Sequence, residues 1–512
     1  MSSLMDSSIS QILQFAPFPL LLTSILFFVL FLQYFQNSGG QGTAFPGPKP
    51  LPIIGNLHQL RGGGLPHHIL TRLCKKYGPV IKLQLGQVVA VVISSPEVAK
   101  EVLKTSEISF AQRSEVYVAE IMTYDHSSMM FAPYAEYWRQ TRKIAVLELF
   151  SPKRVQSFRS IREEEVWNLV EFISSSEGKA INLTEKIFST INDIIARAAF
   201  GSKCKYQKDF MIVIEEIASL GGGFDIIDLY PSLSFLRSVT GLKGKLLRLR
   251  KKMDKILEDI VTKHKMKRNA AAIDNDQEDI VDTLLNHTVP NNTDFYMTVD
   301  QVKAIVLDLF SAGTETSSTT IEWAMAELLK NPRVMKKAQE EVREACKGKS
   351  KIEEADIQNL QYLKLVIKET FRLHPPLVLI PRVASETCEI NEYTIPANTK
   401  ILVNPYAIGR DPMTWKNPEC FQPERFEGSS IDFKGNNFEL LPFGSGRRMC
   451  PAVLFSVRSI ELAISQLLYH FDWKLADGIK LENLDMTEIF AVTARKKNNL
   501  HLISKTRIPF QM

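Results

Sequence analysis

Hydrophobic positions in this chain fall into one unbroken apolar block near the start and long stretches of helical periodicity after it. Between Asp6 and Lys49 there is no charged side chain, and Phe18 to Phe35 is an apolar run of about the length that spans a bilayer. Farther on, Thr298-Val299-Asp300-Gln301 has the form of a capping box and Asn331-Pro332 is a stop. This spacing predicts one uninterrupted helix from about Val299 to Lys330. At ~1.5 Å per residue it is about 48 Å long, enough to cross a whole domain. Val453 to Leu468 is also apolar at helical spacing. Lys243 to Arg268 is strongly basic, with Leu246, Leu247, Leu249, Ile256, Ile260 and Val261 as an apolar stripe; a helix with one solvated face is expected there rather than a membrane role. Strand signals are few. Val80 to Leu85 and Val88 to Ile93 read as a short hairpin around Gly86-Gln87, and Thr394 to Val403 supplies further strand pieces. The pattern predicts a mainly α chain with small β-sheets, of α+β class.

The 512 residues are 45% hydrophobic, enough for a large core, and no Pro/Gly/Ser-rich linker interrupts them after the first sixty. One catalytic-sized domain is expected over 56–512, behind an anchor at 1–36 and a hinge at 37–55. A net charge of +5 gives no reason to invoke nucleic acid. No GxGxxG follows a strand and no P-loop is present, so the chain carries no evident site for NADPH or flavin. The cysteines (Cys74, Cys204, Cys346, Cys388, Cys420, Cys450) are dispersed, with no CxxC. That argues against zinc and fits a reducing compartment.

The apolar N-terminus competes between an anchor and a cleaved signal peptide. A signal peptide wants a basic n-region and a small-residue cleavage site; here Asp6 precedes the run and Tyr34-Phe35 ends it. A retained single-pass anchor at about 18–35 is therefore expected. Lys49 and Arg61 on its C-terminal side place the body in the cytosol. Asn37 to Gly42 reads as flexible, and the proline-rich 45–52 as stiff.

The candidate chemistry starts at Phe443-Gly444-Ser445-Gly446-Arg447-Arg448-Met449-Cys450. A thiolate that ligates iron needs backbone N–H donors, an apolar shield and a nearby cation. Gly444 and Gly446 permit a tight loop whose amides face sulfur, Phe443 can cover the ligand, and Arg448 can reach a haem carboxylate. The helix beginning near Val453 would place Cys450 at a positive dipole end, which lowers a thiol pKa. The competing reading is a buried structural cysteine beside a glycine-rich turn. Eight specified positions argue against it.

In the middle of the long helix lies Ala312-Gly313-Thr314-Glu315-Thr316. Glycine costs a helix about 1 kcal/mol relative to alanine, and clustered threonines add poor helix formers. Such a weak point suggests a functional groove; the alternative is a Thr/Ser-rich face that merely packs. Glu369 and Arg372 share a helix face three residues apart, as solvent-exposed pairs commonly do. Trp138 and Arg142, at i and i+4, share another, where a surface stack is the competing explanation.

Together these motifs resemble the cytochrome P450 superfamily, whose loop reads Phe-x-x-Gly-x-Arg-x-Cys-x-Gly. The resemblance covers essentially all of the chain after the anchor. One position departs from it: the final glycine is Ala452, and its extra methyl should be accommodated with a small shift. The resemblance implies the cytochrome P450 fold as a single domain, and haem b with Cys450 as axial ligand to iron. Trp138, Arg142, Arg382 and Arg448 would then hold its propionates. Glu315 and Thr316 would be an acid–alcohol pair that delivers protons during oxygen activation, the hydroxyl with ordered water and the carboxylate recharging it. Glu369, Arg372 and Arg425 would form a structural salt-bridge network that fixes the cysteine-bearing segment.

Phe110-Ala111-Gln112-Arg113, Tyr137-Trp138-Arg139-Gln140 and Gly221-Gly222-Gly223-Phe224-Asp225 look like the plant microsomal seventy-one family, in particular its terpenoid-oxidising members. By position, Met122, Ile305, Leu309, Ala312, Val378, Ile380, Phe490 and Val492 would line a substrate pocket, nearly all apolar and suited to a lipophilic skeleton. Electrons would come from an NADPH-dependent flavoprotein reductase, with Arg139, Lys143 and Arg447 as candidate contacts for its acidic surface. The implied location is the endoplasmic reticulum membrane, the hinge orienting the body. The implied reaction is insertion of one atom of O2 into a terpenoid. Alternatives are the same chemistry on an alkaloid or phenolic, an oxygen-independent haem-thiolate isomerase or dehydratase, and a non-catalytic haem sensor. The last two have no use for the acid–alcohol pair.

Overall fold

The helix predicted from the capping box and the Asn-Pro stop is present as drawn. It runs Val299–Lys330, 32 residues, with both capping-box hydrogen bonds formed and Asn331 at its end. The structure is a computed structural model that describes residues 23–24, 45–60, 63–203, 205–220, 226–235, 237, 241–270, 278–289, 295–478, 480–490 and 493–508. Helices of nine or more residues are α1 (Pro66–Tyr77), α2 (Glu136–Ile144), α3 (Arg159–Ser175), α4 (Leu183–Phe200), α5 (Gln207–Leu220), α6 (Leu242–Ala270), α7 (Val299–Lys330), α8 (Pro332–Ala345), α9 (Gln361–Leu373) and α10 (Val453–His470). Strands are β1 (Val80–Leu85), β2 (Val88–Ile93), β3 (Ala180–Asn182), β4 (Ile380–Val383), β5 (Cys388–Ile390), β6 (Tyr393–Ile395), β7 (Lys400–Val403), β8 (Phe471–Leu475), β9 (Glu488–Phe490), β10 (Ala494–Lys496) and β11 (His501–Thr506).

Helix α7 packs against α4, α6, α8, α9 and α10, which explains why apolar and small residues continue right round it. The main sheet has the order β1-β2-β7-β4, with β2 and β7 parallel and the other pairs antiparallel. Strand β2 is buried on both faces. Val91 and Ile93 join one apolar cluster with Ile401 and Val403, while Ala90 and Val92 join another with Ile81 and Leu83. That is why Val88 to Ile93 reads as a continuous apolar run. Along α6, Leu246, Leu249, Ile256, Ile260 and Val261 are buried, whereas Leu247, placed in the same stripe by the sequence, is 46% exposed. An α-helix turns Leu247 about 100° away from Leu246, which takes it off the buried face.

Among the described residues no helix is long and apolar enough to cross a membrane. Residues 18–35 lie outside the described set apart from Thr23 and Ser24, as do the glycines at 221–223.

The segment leading to the cysteine loop is held by a buried ion network. Glu369 and Arg372 have fully buried side chains and are joined at 2.7 and 2.8 Å, and Arg425 Nε reaches Glu369 at 2.9 Å. The remaining guanidinium donors of Arg372 bind the carbonyls of Gly409, Pro418 and Cys420, and Glu369 also accepts from Gln422 N–H. This is not an exposed i,i+3 pair. A Cβ at residue 409 would lie 2.3 Å from Arg372 O, so glycine there is what lets the loop close on α9.

Removing one partner from such a network leaves buried charge uncompensated, a loss of roughly 3–5 kcal/mol. Glu369→Ala should therefore lower the denaturant midpoint by that equivalent. A midpoint equal to wild type would show that the network adds nothing to the fold.

Candidate active site

Four chain segments meet around Cys450. Its N–H donates to Phe443 O at 3.0 Å, and Gly444 and Gly446 sit at φ +70° and +69°, the left-handed region that glycine enters freely. At 446 a Cβ would lie 1.9 Å from Leu103 O, so glycine is required there by close approach as well. Phe443 packs edge-on to Phe371 and tilts against Phe433, which makes it an apolar shield anchored on α9. On the other flank, a Cβ at residue 444 would lie 4.0 Å from Ile380 Cδ1. Ala452 has φ −97°, a value any residue adopts, so the departure from glycine brings no backbone strain. It stands at the N-cap of α10, and its N–H faces the Cys450 sulfur.

The helix end does not prevail over desolvation. Burial pushes the Cys450 thiol up from its ordinary value, against the Ala452 N–H and the Arg142 charge, which pull it down. The expectation of a lowered pKa is thus reversed for the bare protein, because the sulfur sits in apolar surroundings. A bound metal changes that balance by deprotonating a coordinating thiol outright.

Arg113, Arg382 and Arg448, beside the loop, are paired with backbone carbonyls and with no acid among the described residues. Arg448 donates to Ala111 O at 2.8 Å and Ala132 O at 2.7 Å and stacks 4.5 Å over the Trp138 ring. Arg382 is buried and donates to Pro381 O at 2.9 Å. Arg113 donates to Met130 O at 3.0 Å and to Pro381 O. Burial, then the charges of Arg113 and Arg142, bring Arg448 down to about 9; burial alone brings Arg113 to about 10, and Arg382 falls well below its ordinary value. Arg142 is half-buried beside them. None of the four forms an ion pair with a carboxylate among the described residues. Cations gathered in a poorly solvated site call for an anion, and the two carboxylates of haem b, whose iron a cysteine sulfur can hold, would supply one. The residues present fit the group.

Trp138 stands beside the same cluster. Its indole N–H donates to Met129 O at 3.1 Å, and its ring supports Arg448. Arg113 joins this cluster although nothing local in Phe110-Ala111-Gln112-Arg113 marks it for that role, since its partners Met130 and Pro381 are distant in sequence. Asp308 likewise carries no local signal. It is buried on α7, accepts from Met130 N–H at 3.2 Å and is pushed up to about 7 by desolvation, tying the 128–132 loop to the helix.

On α7 the sequence cluster divides between two faces. Thr314 is buried and accepts from Asn192 of α4 at 3.3 Å, and a Cβ at residue 313 would lie 2.8 Å from Ile195 Cδ1. Those two positions do pack against a helix. Leu309, Ala312 and Thr316 instead share a half-buried stripe, and Ser311, Gly313 and Glu315 beside it are half-buried too. Thr316 Oγ1 donates to Ala312 O at 2.7 Å, and Glu315 accepts from Thr493 Oγ1 at 2.7 Å. Of the other pocket candidates, Met122, Ile305, Val378 and Ile380 are buried, Phe490 is half-exposed on β9, and Val492 is outside the described residues. Arg139 and Arg447 are exposed but paired, with Glu136 and Glu107; Lys143 is exposed.

The chain matches the cytochrome P450 family over residues 45–502. It belongs to the cytochrome P450 family. A melianol synthase of Citrus sinensis is 66% identical over 506 residues, covering 98% of both chains, and one of Ailanthus altissima is 64% identical over 510 residues, covering 99% of both. Among solved structures, a zebrafish cytochrome P450 determined with abiraterone superposes with a TM-score of 0.72 at 25% identity, over 86% of this chain and all of the other. The protein is a P450 monooxygenase of the plant seventy-one family, and the P450 fold accounts for the helix-rich body with small sheets.

A thiolate trans to carbon monoxide red-shifts the Soret band of a reduced P450. Cys450→His should abolish that band while leaving far-ultraviolet helicity unchanged. A retained thiolate-type band would show that another residue is the ligand.

Proposed function

We propose that this P450 hydroxylates or otherwise oxidises a terpenoid, with a triterpenoid skeleton as first candidate. The observation that carries the substrate class is that relatives matching at 64–66% over nearly the whole chain are named melianol synthase. The half-exposed Leu309–Ala312 stripe and Phe490 agree with a lipophilic substrate. The overall change is R–H + O2 + NADPH + H+ to R–OH + H2O + NADP+, with electrons delivered by a separate NADPH-dependent flavoprotein reductase.

Haem b, when bound, supplies the iron at which dioxygen is activated. The chain supplies the rest. Cys450 Sγ would ligate the iron, and Arg113, Arg142, Arg382 and Arg448 would neutralise the propionates. Leu309, Ala312 and Phe490 hold the substrate and exclude water. Because Thr316 Oγ1 donates its own proton to Ala312 O, its lone pairs remain to accept from a water, which it holds over the stripe. The Glu315 carboxylate, one residue away, replaces the proton that this water gives up. The pair sets how much oxygen reaches product.

The reading is tested in microsomes with added reductase, offered triterpenoid, sesquiterpenoid and alkaloid substrates, with product, NADPH and peroxide measured together. Triterpenoid turnover is expected; turnover confined to alkaloids would sink the substrate assignment. Thr316→Ala should keep the haem spectrum and substrate binding, yet lose product rate by up to roughly 10²–10⁴ as peroxide rises. Equal coupling in wild type and variant would remove the hydroxyl from the reaction.

We further propose that residues 18–35 anchor the enzyme in the endoplasmic reticulum membrane with its catalytic domain in the cytosol. Deleting residues through Phe35 should shift much of the enzyme to the soluble fraction with its spectrum intact. Full retention of the truncated protein on membranes would place the anchor elsewhere.

A further inference from the structure

The acid of the pair is gripped from outside its own helix. Thr493 Oγ1 donates to Glu315 Oε1 at 2.7 Å, and Thr493 is 1% exposed. This threonine immediately precedes β10, which pairs with β9 in the register Ala494↔Phe490, so one short hairpin carries both a wall of the substrate pocket and the hydroxyl that holds Glu315. The hairpin is fixed independently of that hydroxyl. Ala494 N–H donates to Pro376 O at 3.2 Å, Trp323 Nε1 of α7 donates to Ala494 O at 3.0 Å, and Lys496 Nζ binds Asp485 O. Residue 494 is therefore locked to α7 and to the segment before β4 whatever side chain stands at 493.

We infer that Thr493 is a positioning residue for proton delivery: its hydroxyl holds the Glu315 carboxylate in the orientation from which the water on Thr316 is recharged. A glutamate side chain has three rotatable bonds, and an unrestrained carboxylate samples several directions about the helix. A hydroxyl on a backbone locked to α7 restricts that freedom. The inference rests on the reading in which Glu315 recharges the relay.

The test uses full-length enzyme with reductase and the substrate that wild type turns over. It compares Thr493→Val, Thr493→Ser, Glu315→Gln and Thr316→Ala. Thr493→Val keeps the shape and loses the hydroxyl, and Thr493→Ser restores it. Expected for Thr493→Val are an unchanged carbon monoxide spectrum and substrate-induced spectral shift, product per NADPH reduced several-fold with peroxide making up the difference, and recovery to near wild type in Thr493→Ser. A second readout does not depend on turnover. The infrared band of Glu315, identified by its absence in Glu315→Gln, should shift on loss of the hydrogen bond in Thr493→Val and return in Thr493→Ser. If Glu315→Gln and Thr316→Ala uncouple while Thr493→Val does not, the positioning role is overturned and the relay stands. If none of the three uncouples, the relay itself fails. If the serine variant behaves as the valine one, the effect belongs to packing at 493 and not to its hydroxyl, which also overturns the inference.

Discussion

Arg113, Arg382 and Arg448 are packed against backbone carbonyls with no ion-paired carboxylate among the described residues, and the rest of the site is organised by that excess of positive charge. Gathering such charges out of water is costly unless an anion arrives with its own negative charge. Four segments remote in sequence are brought together to build this arrangement: 110–113, 129–132, 380–383 and the cysteine loop. Each contributes a carbonyl or a guanidinium to the same web, so the cradle and the fold share the same hydrogen bonds.

The contrast with Glu369, Arg372 and Arg425 is instructive. There the buried cations have their carboxylate in place, and the outcome is structure: α9 is clamped to the 409–425 segment that leads to the cysteine loop. Beside Cys450, Arg113, Arg382 and Arg448 lack one among the described residues, which is what the proposed haem site requires.

The long helix joins these two halves. Its Thr314 and Gly313 face α4, where small size and a hydrogen bond permit close approach, while Leu309, Ala312 and Thr316 stay half-buried. A residue-by-residue alternation between packing and exposure on one helix is what a catalytic groove in a rigid scaffold needs. The neighbouring structure can hold the groove in shape because the buried side of the same turn is tightly packed.

Much of this was written in local sequence. The capping box and Asn-Pro stop delimited α7, two apolar runs flanking Gly86-Gln87 marked the hairpin, and the octapeptide ending in Cys450 pointed to a haem-thiolate loop, because caps, turns and tight loops depend on neighbours a few residues apart. The tertiary structure alone decided what depends on surroundings. It showed that Glu369 and Arg372 are buried, that Leu247 faces solvent, that the indole of Trp138 is bound to Met129 O, and that desolvation outweighs the helix end at Cys450. It also brought Thr493 to Glu315 across 178 residues of chain. Burial and long-range pairing are properties of the packed molecule, and no local pattern encodes which distant hydroxyl will meet a given carboxylate.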